Sequence, residues 1–325
     1  MKCKIQLLPI EKVGAVYCAA TSLLMVVMMP RLMDPVGMAL TRIEWLAMTL
    51  LLVWVAQYLK NHPSSLIPHP APLVPLLRTA AQMVWLILWY PDTYEFNRCF
   101  ANLDHHFAQL DLTLFGCQPA LEFSRLLPGS VWSEAFCLGY WSYFPMIALL
   151  SLAVLWKGWQ QQELHTFKTV TTTIMTAFFL YYAIYIFLPV AGPQFYFQAV
   201  GIDEILQGHF PALGTYFSDH TEMLPAPGDN NGLFNTLVHM SQSAGERPTA
   251  AFPSSHIGIS TILLLLAYRY APRILPYLLP FWTLLCCATV YIQAHYLIDA
   301  IAGLVSAPLM LWVSSTVART ILPRG

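Results

Sequence analysis

The feature that most constrains this chain is the recurrence of long apolar stretches, at roughly 13–30, 43–60, 74–90, 134–157, 168–190, 255–270, 274–293 and 296–318. About 20 mostly apolar residues cross the hydrocarbon layer of a bilayer as a helix. Within lipid, a helix is the one open-ended structure that satisfies its own backbone polar groups. The pattern therefore predicts an all-α fold, a polytopic membrane helical bundle of about eight transmembrane helices. The last three stretches are separated by very short connections and must pack as antiparallel neighbours. Composition agrees, since 57% of the 325 residues are hydrophobic and 10% are charged, against roughly 25% charged in a soluble domain. The first stretch follows Lys2, Lys4 and Lys12 and resembles a signal peptide, but no small-residue cleavage site follows it, so it reads as an uncleaved span.

Loop charge sets an orientation, because Lys and Arg collect on the cytoplasmic side. With the amino terminus inside, the inner segments carry Lys2, Lys4, Lys12, Lys60, Arg78, Lys157, Lys168, Arg269, Arg273, Arg319 and Arg324, which is 11 of the 16 basic residues. The outer segments carry Arg31, Arg42, Arg98, Arg125 and Arg247, with most of the acids, among them Asp34, Asp92, Glu95, Asp104, Asp111, Glu122 and Glu246. The expectation is a multi-pass cell-membrane protein with both termini cytoplasmic. Three regions follow: N-terminal transmembrane helices over 1–90, an external segment of headgroup-plane helices over 91–133, and a transmembrane core over 134–325 with an external loop at 191–252.

Several function classes fall away. A net charge of −1 offers no basic patch for nucleic acid. The seven cysteines show no C-x2-C spacing, which argues against structural zinc. Asp104-His105-His106 invites a metal reading, yet adjacent helical residues point about 100° apart and seldom chelate together, so this run reads as a solvated face. A transporter would carry charges in mid-span and paired broken helices, whereas the ionisable residues here gather at one set of span ends.

Two polar clusters stand out against this background, both at predicted external span ends. In His295-Tyr296-Leu297-Ile298-Asp299 a histidine and a carboxylate one turn apart share a helix face. A carboxylate so placed can accept a hydrogen bond from one ring nitrogen and leave the other as a free lone pair, which makes the histidine a nucleophile or base. The bland alternative is a polar pair that stitches two helices together. In Pro253-Ser254-Ser255-His256, proline sets the chain entering a helix and Ser254 is a good N-cap. The unsatisfied amides that follow form an anion site beside His256, which could deliver a proton to a leaving oxygen. Arg247 adds a permanent charge suited to phosphate oxygens.

Taken together, FPSSHIG and AHYLIDAIAG resemble the second and third signature motifs of the type 2 phosphatidic acid phosphatase superfamily. The match is strong over the final three spans and extends to the rest by general layout. The resemblance implies a six-helix phosphatase-like core acting on a membrane lipid phosphate or phosphodiester, with His295 as the nucleophile that becomes phosphohistidine. It implies that Asp299 orients His295, that His256 protonates the leaving group, and that Arg247, Ser254 and Ser255 bind phosphate, with no metal and no cofactor. Departures are visible: Thr289 stands where members carry an arginine, and Met240 stands where a lysine would precede Arg247-Pro248. This arginine-poor pattern, with the entry FLPVAGPQFYF, is more similar to the branch containing inositol phosphorylceramide synthase, which moves a phosphoalcohol headgroup to a lipid acceptor. By position in that branch, Gly192, Gln194 and Tyr196 would contribute to substrate binding. Hydrolase and transferase both stay open, since they differ in whether water or a lipid or polyol hydroxyl enters the site.

Overall fold

A computed structural model describes residues 6–61, 73–228 and 232–322, and every regular element within them is helical. Lys2, Lys4, His62, His69 and Arg324 lie outside the described residues. The chain begins with α1 (Pro9–Met28), α2 (Pro35–Asn61) and α3 (Leu73–Asn97). Proline opens α1 and α2, where its missing N–H costs nothing. The segment predicted to lie in the headgroup plane contains α4 (Asp104–Phe115) and α5 (Pro119–Leu126), which pack on α14 and α13. The remaining helices are α6 (Ser130–Trp141), α7 (Tyr143–Gln160), α8 (His165–Phe187), α9 (Pro193–Val200), α10 (Ile202–Leu206), α11 (Leu233–Gly245), α12 (Ser255–Tyr270), α13 (Leu275–Tyr291) and α14 (Leu297–Ile321).

Six of these helices are long and apolar enough to cross a membrane: α1, α2, α3, α8, α13 and α14. The predicted span at 134–157 is instead two helices, α6 and α7, bent by 43° at Ser142, whose hydroxyl donates to the Gly139 carbonyl at 2.6 Å. The predicted span at 255–270 is α12, whose 16 residues are surrounded by α7, α8, α13 and α14.

The bundle is arranged around α8. Of its apolar window 78% is buried, against 28–33% for the other five long helices, because α1 and α3 cover one side while α7, α12 and α14 cover the other. Buried Thr171, Thr173 and Thr176 donate to carbonyls four residues back, so these three hydroxyls are satisfied within α8, whereas that of buried Thr172 finds no partner among the described residues. Tyr17 of α1 stacks on Phe179 of α8 at 4.0 Å, which seats the first three helices on this column.

Three charges counted above with the inner and outer segments, Arg42, Arg78 and Asp92, lie buried inside helices. Arg42 of α2 pairs with Asp92 of α3 at 2.8 Å, and Arg78 of α3 pairs with Glu11 of α1 at 2.5 Å, all four buried. A charge at membrane depth is tolerated when paired, and here the pairs tie α1, α2 and α3 together. Asp104, read above as part of a solvated face, and Asp111, counted above among the outer acids, are fully buried.

Removing one partner of a buried pair leaves a charge without compensation, at a cost of about 3–5 kcal/mol. Arg78→Leu is therefore expected to lower the unfolding midpoint in detergent sharply, and E11L/R78L together to recover most of the loss. A double variant no more stable than the single one would show that the pair does not work this way.

Candidate active site

The two polar clusters meet at one end of the bundle. After α13 ends at Tyr291 the chain turns through Gln293, at φ 64°, before α14 begins at Leu297. His295 sits in this turn, 3% exposed, with its amide donating to the Thr289 carbonyl at 3.0 Å. Its ring Nδ1 lies 2.7 Å from the backbone oxygen of Ala251. A carbonyl oxygen only accepts, so Nδ1 carries the proton and Nε2 holds the lone pair. Burial pushes the imidazole down to about 4, with the Ala251 bond opposing the shift. His295 is thus neutral at pH 7 and its Nε2 is free to attack an electrophile.

Asp299 takes a different part from the one its spacing implies. Its Oδ2 is 3.8 Å from His295 Nδ1 and accepts the Tyr296 amide at 2.9 Å, which caps α14. Its backbone oxygen accepts the Ser254 amide at 3.0 Å, joining the second cluster to the first. The Ala251 carbonyl orients the histidine, and Asp299 holds the turn that carries it.

The second cluster is fixed from three sides. Ser254 caps α12 by accepting the Ile257 amide on its side chain. Tyr185 of α8 donates its hydroxyl to the Pro253 carbonyl and accepts the Ser255 amide, both at 2.9 Å. A Cβ on Gly303 of α14 would collide with the Ser254 carbonyl, so only glycine permits this approach. His256 then projects from the first turn of α12 between Tyr140 and Tyr143, with ring centroids at 4.6 and 4.7 Å. The His256 and His295 rings are 5.8 Å apart, edge to face, and both line one cavity with Ser255.

Two further carboxylates brace the turn. Asp104 accepts the Ala191 and Gly192 amides, the Asn102 side-chain amide and the Tyr296 hydroxyl, the four at 2.5–3.0 Å. Asp111 accepts the Leu297 and Ile298 amides at 2.9 and 3.0 Å. Asp111 thus caps the first turn of α14, and Asp104 ties Ala191 and Gly192 to the Tyr296 hydroxyl at the start of that helix.

Of the residues expected at the site from sequence, His256, His295 and Ser255 line the cavity, and Ser254 and Asp299 support it from behind. Gly192 sits at φ 97°, where a Cβ would lie 2.6 Å from the Ala294 carbonyl, so its place is structural. Gln194 donates its amide to the Gln293 carbonyl, and the Tyr196 hydroxyl donates to Pro211. Both are buried outside the cavity lining. Arg247 is exposed and donates to the Glu246 carbonyl, likewise outside the lining. Sequence reasoning missed Tyr90, Tyr140, Glu246 and Thr249, which complete the cavity wall. The one signal for Glu246 and Thr249 was their place beside Arg247-Pro248. Among the described residues, no group of three or more His, Cys, Asp or Glu side chains is placed to hold a metal.

A family model described as the PAP2 superfamily matches residues 113–313, more than half of the chain and the whole of both clusters. Comparison with curated proteins and with solved structures finds no match.

His295 binds no proton in the fold until about pH 4, whereas in the unfolded chain it does so near 6.5. The unfolded state therefore holds more protons between these values, and this residue makes stability fall as pH drops through that window. Unfolding midpoints at pH 7 and pH 4.5 are expected to differ less for His295→Asn than for the wild type. An equal difference would mean that the ring is not held neutral.

Proposed function

This chain belongs to the PAP2 superfamily, and from that premise we propose that it is an integral membrane lipid phosphatase or phosphotransferase that works through a phosphohistidine at His295. Membership supports phosphoric ester hydrolysis or phosphotransfer, and the long apolar helices support a multi-pass membrane protein. The observation that carries the finer reading is the Ala251 bond, which puts the proton on Nδ1 and leaves Nε2 as the lone pair, with His256 across the same cavity.

In this reading the negative charge of the bound phosphoryl group holds a proton on His256, Nε2 attacks phosphorus, the P–N bond forms as the P–O bond to the leaving alcohol breaks, and His256 gives its proton to the departing oxygen. An incoming hydroxyl then passes its proton to neutral His256 and attacks phosphorus, and the P–N electron pair returns to Nε2. If water enters, the enzyme is a phosphatase of lipid phosphates. If a lipid or polyol hydroxyl enters, it is a transferase resembling inositol phosphorylceramide synthase. One observation favours the second alternative. The position expected to hold an arginine is buried Thr289, whose hydroxyl donates to the Cys286 carbonyl, and among the described residues no guanidinium or ammonium group lines the cavity.

The proposed topology puts both termini in the cytoplasm and the cavity on the external side, as loop charge suggests. The α7–α8 connection and the α10 region then lie on opposite faces. Single cysteines at Gln162 and Gln207, both exposed, are expected to react with an impermeant reagent from opposite sides of sealed cells. Labelling from the same side would refute the topology.

Radiolabelled lipid substrate is expected to leave acid-labile, base-stable phosphate on the wild-type protein and none on His295→Ala, whose turnover should fall by about 10^4-fold or more. Substantial residual turnover would remove His295 as nucleophile. For His256→Ala the expected loss is roughly 10^2- to 10^4-fold, smallest for substrates with an acidic leaving alcohol. A panel of lipid phosphates and phosphodiesters, with and without a polyol acceptor, separates hydrolase from transferase: strict acceptor dependence sinks the first.

A further inference from the structure

The cavity that holds the two histidines is lined as well by Glu246, Thr249 and Tyr90. A bound phosphoryl group brings negative charge into this space, and its oxygens need donors. Thr249 is 2% exposed, and its hydroxyl finds no hydrogen-bond partner among the described residues although the residue lines the cavity. A buried hydroxyl in that state is a donor awaiting an acceptor. Glu246 is 3.5 Å from the Tyr90 hydroxyl through Oε1, and the neighbouring Arg247 directs Nη1 to the Glu246 backbone carbonyl.

We infer that Thr249 and the carboxyl group of Glu246 are substrate-binding groups, which hydrogen-bond to the phosphoryl oxygens in the place that cationic side chains fill in an arginine-rich site. The inference rests on the reading that the phosphoryl group is held beside His295. The ionisable groups around Glu246 are Tyr90 from α3, Tyr140 from α6, His256 from α12, His295 from the α13–α14 turn, and adjoining Arg247. Burial pushes the carboxyl up to about 7, with Tyr90 and Arg247 opposing the shift. Below that pH the group is a neutral donor; above it, a carboxylate faces an anion and repels it.

The test compares wild type, Glu246→Gln, Glu246→Ala, Thr249→Val and Thr249→Ser with one lipid substrate, so that ionisation of the substrate cancels in each ratio. Between pH 6 and pH 8 wild-type kcat/KM is expected to fall about tenfold relative to Glu246→Gln, the change in protonated fraction around a pKa near 7. Glu246→Ala is expected to be poor at both pH values and Thr249→Ser to retain the activity that Thr249→Val loses. A ratio of wild type to Glu246→Gln that is constant with pH, or a Glu246→Gln protein as inactive at pH 6 as Glu246→Ala, overturns the role of Glu246; the second outcome would point to a proton-accepting carboxylate. Equal rates for Thr249→Val and wild type remove Thr249. Calorimetric binding of inorganic phosphate to His295→Ala separates this inference from the phosphohistidine reading, since it needs no turnover. Affinity should fall at least tenfold when Glu246→Ala is added and persist when Glu246→Gln is added. Unchanged affinity with Glu246→Ala overturns the inference even where His295 proves to be the nucleophile.

Discussion

The site depends on one hydrogen bond, from His295 Nδ1 to the Ala251 carbonyl at 2.7 Å. It fixes which nitrogen carries the proton, and it does so with a backbone group, which cannot titrate. The bond also joins two distant parts of the chain, the loop that enters α12 and the turn between α13 and α14. Both partners stand beside residues in the left-handed region, Ala250 at φ 68° and Gln293 at φ 64°. Such conformations cost roughly 1–3 kcal/mol each and persist where the surroundings over-determine them. The surroundings here do so: Tyr185 grips the chain on both sides of Ser254, the Ser254 amide reaches Asp299, and Gly303 lets α14 approach closely.

Three buried carboxylates in this region act on backbone amides. Asp299, Asp104 and Asp111 between them accept five main-chain N–H groups from the start of α14 and from loop 191–192. A turn that holds a buried side chain at a helix start exposes amides with no intrahelical partner. Placing carboxyl groups there satisfies those amides, and the hydrogen bonds hold the turn at His295 in place.

Much of the architecture was legible in the sequence because membrane spans announce themselves by length and apolarity. The boundaries of α12 agree with the stretch 255–270. The break in 134–157 was not legible, since the bend at Ser142 falls inside a continuous apolar run. Arg42, Arg78 and Asp92 were assigned to loops because a paired charge inside a helix looks, in one dimension, like a charge at its end. Asp104 looked solvated for a related reason: its four partners come from loop residues and from Tyr296, which no local pattern connects to it. The motifs located the histidines. The spacing of Asp299 suggested a bond to the ring, and only the fold shows the Ala251 carbonyl in that place. Glu246 and Thr249 carried no motif, and their meaning comes from where residues 246–251 lie against α3 and α6.

The contact between Tyr90 and Glu246 crosses a border in the chain. Tyr90 belongs to α3, ahead of the matched residues 113–313, whereas both histidines and Glu246 lie within them. Part of the cavity lining is thus supplied by α3, which the family model does not cover and which is seated on α8 by its own packing. Substitutions in that segment can reshape the chamber while leaving the histidines and their supports untouched.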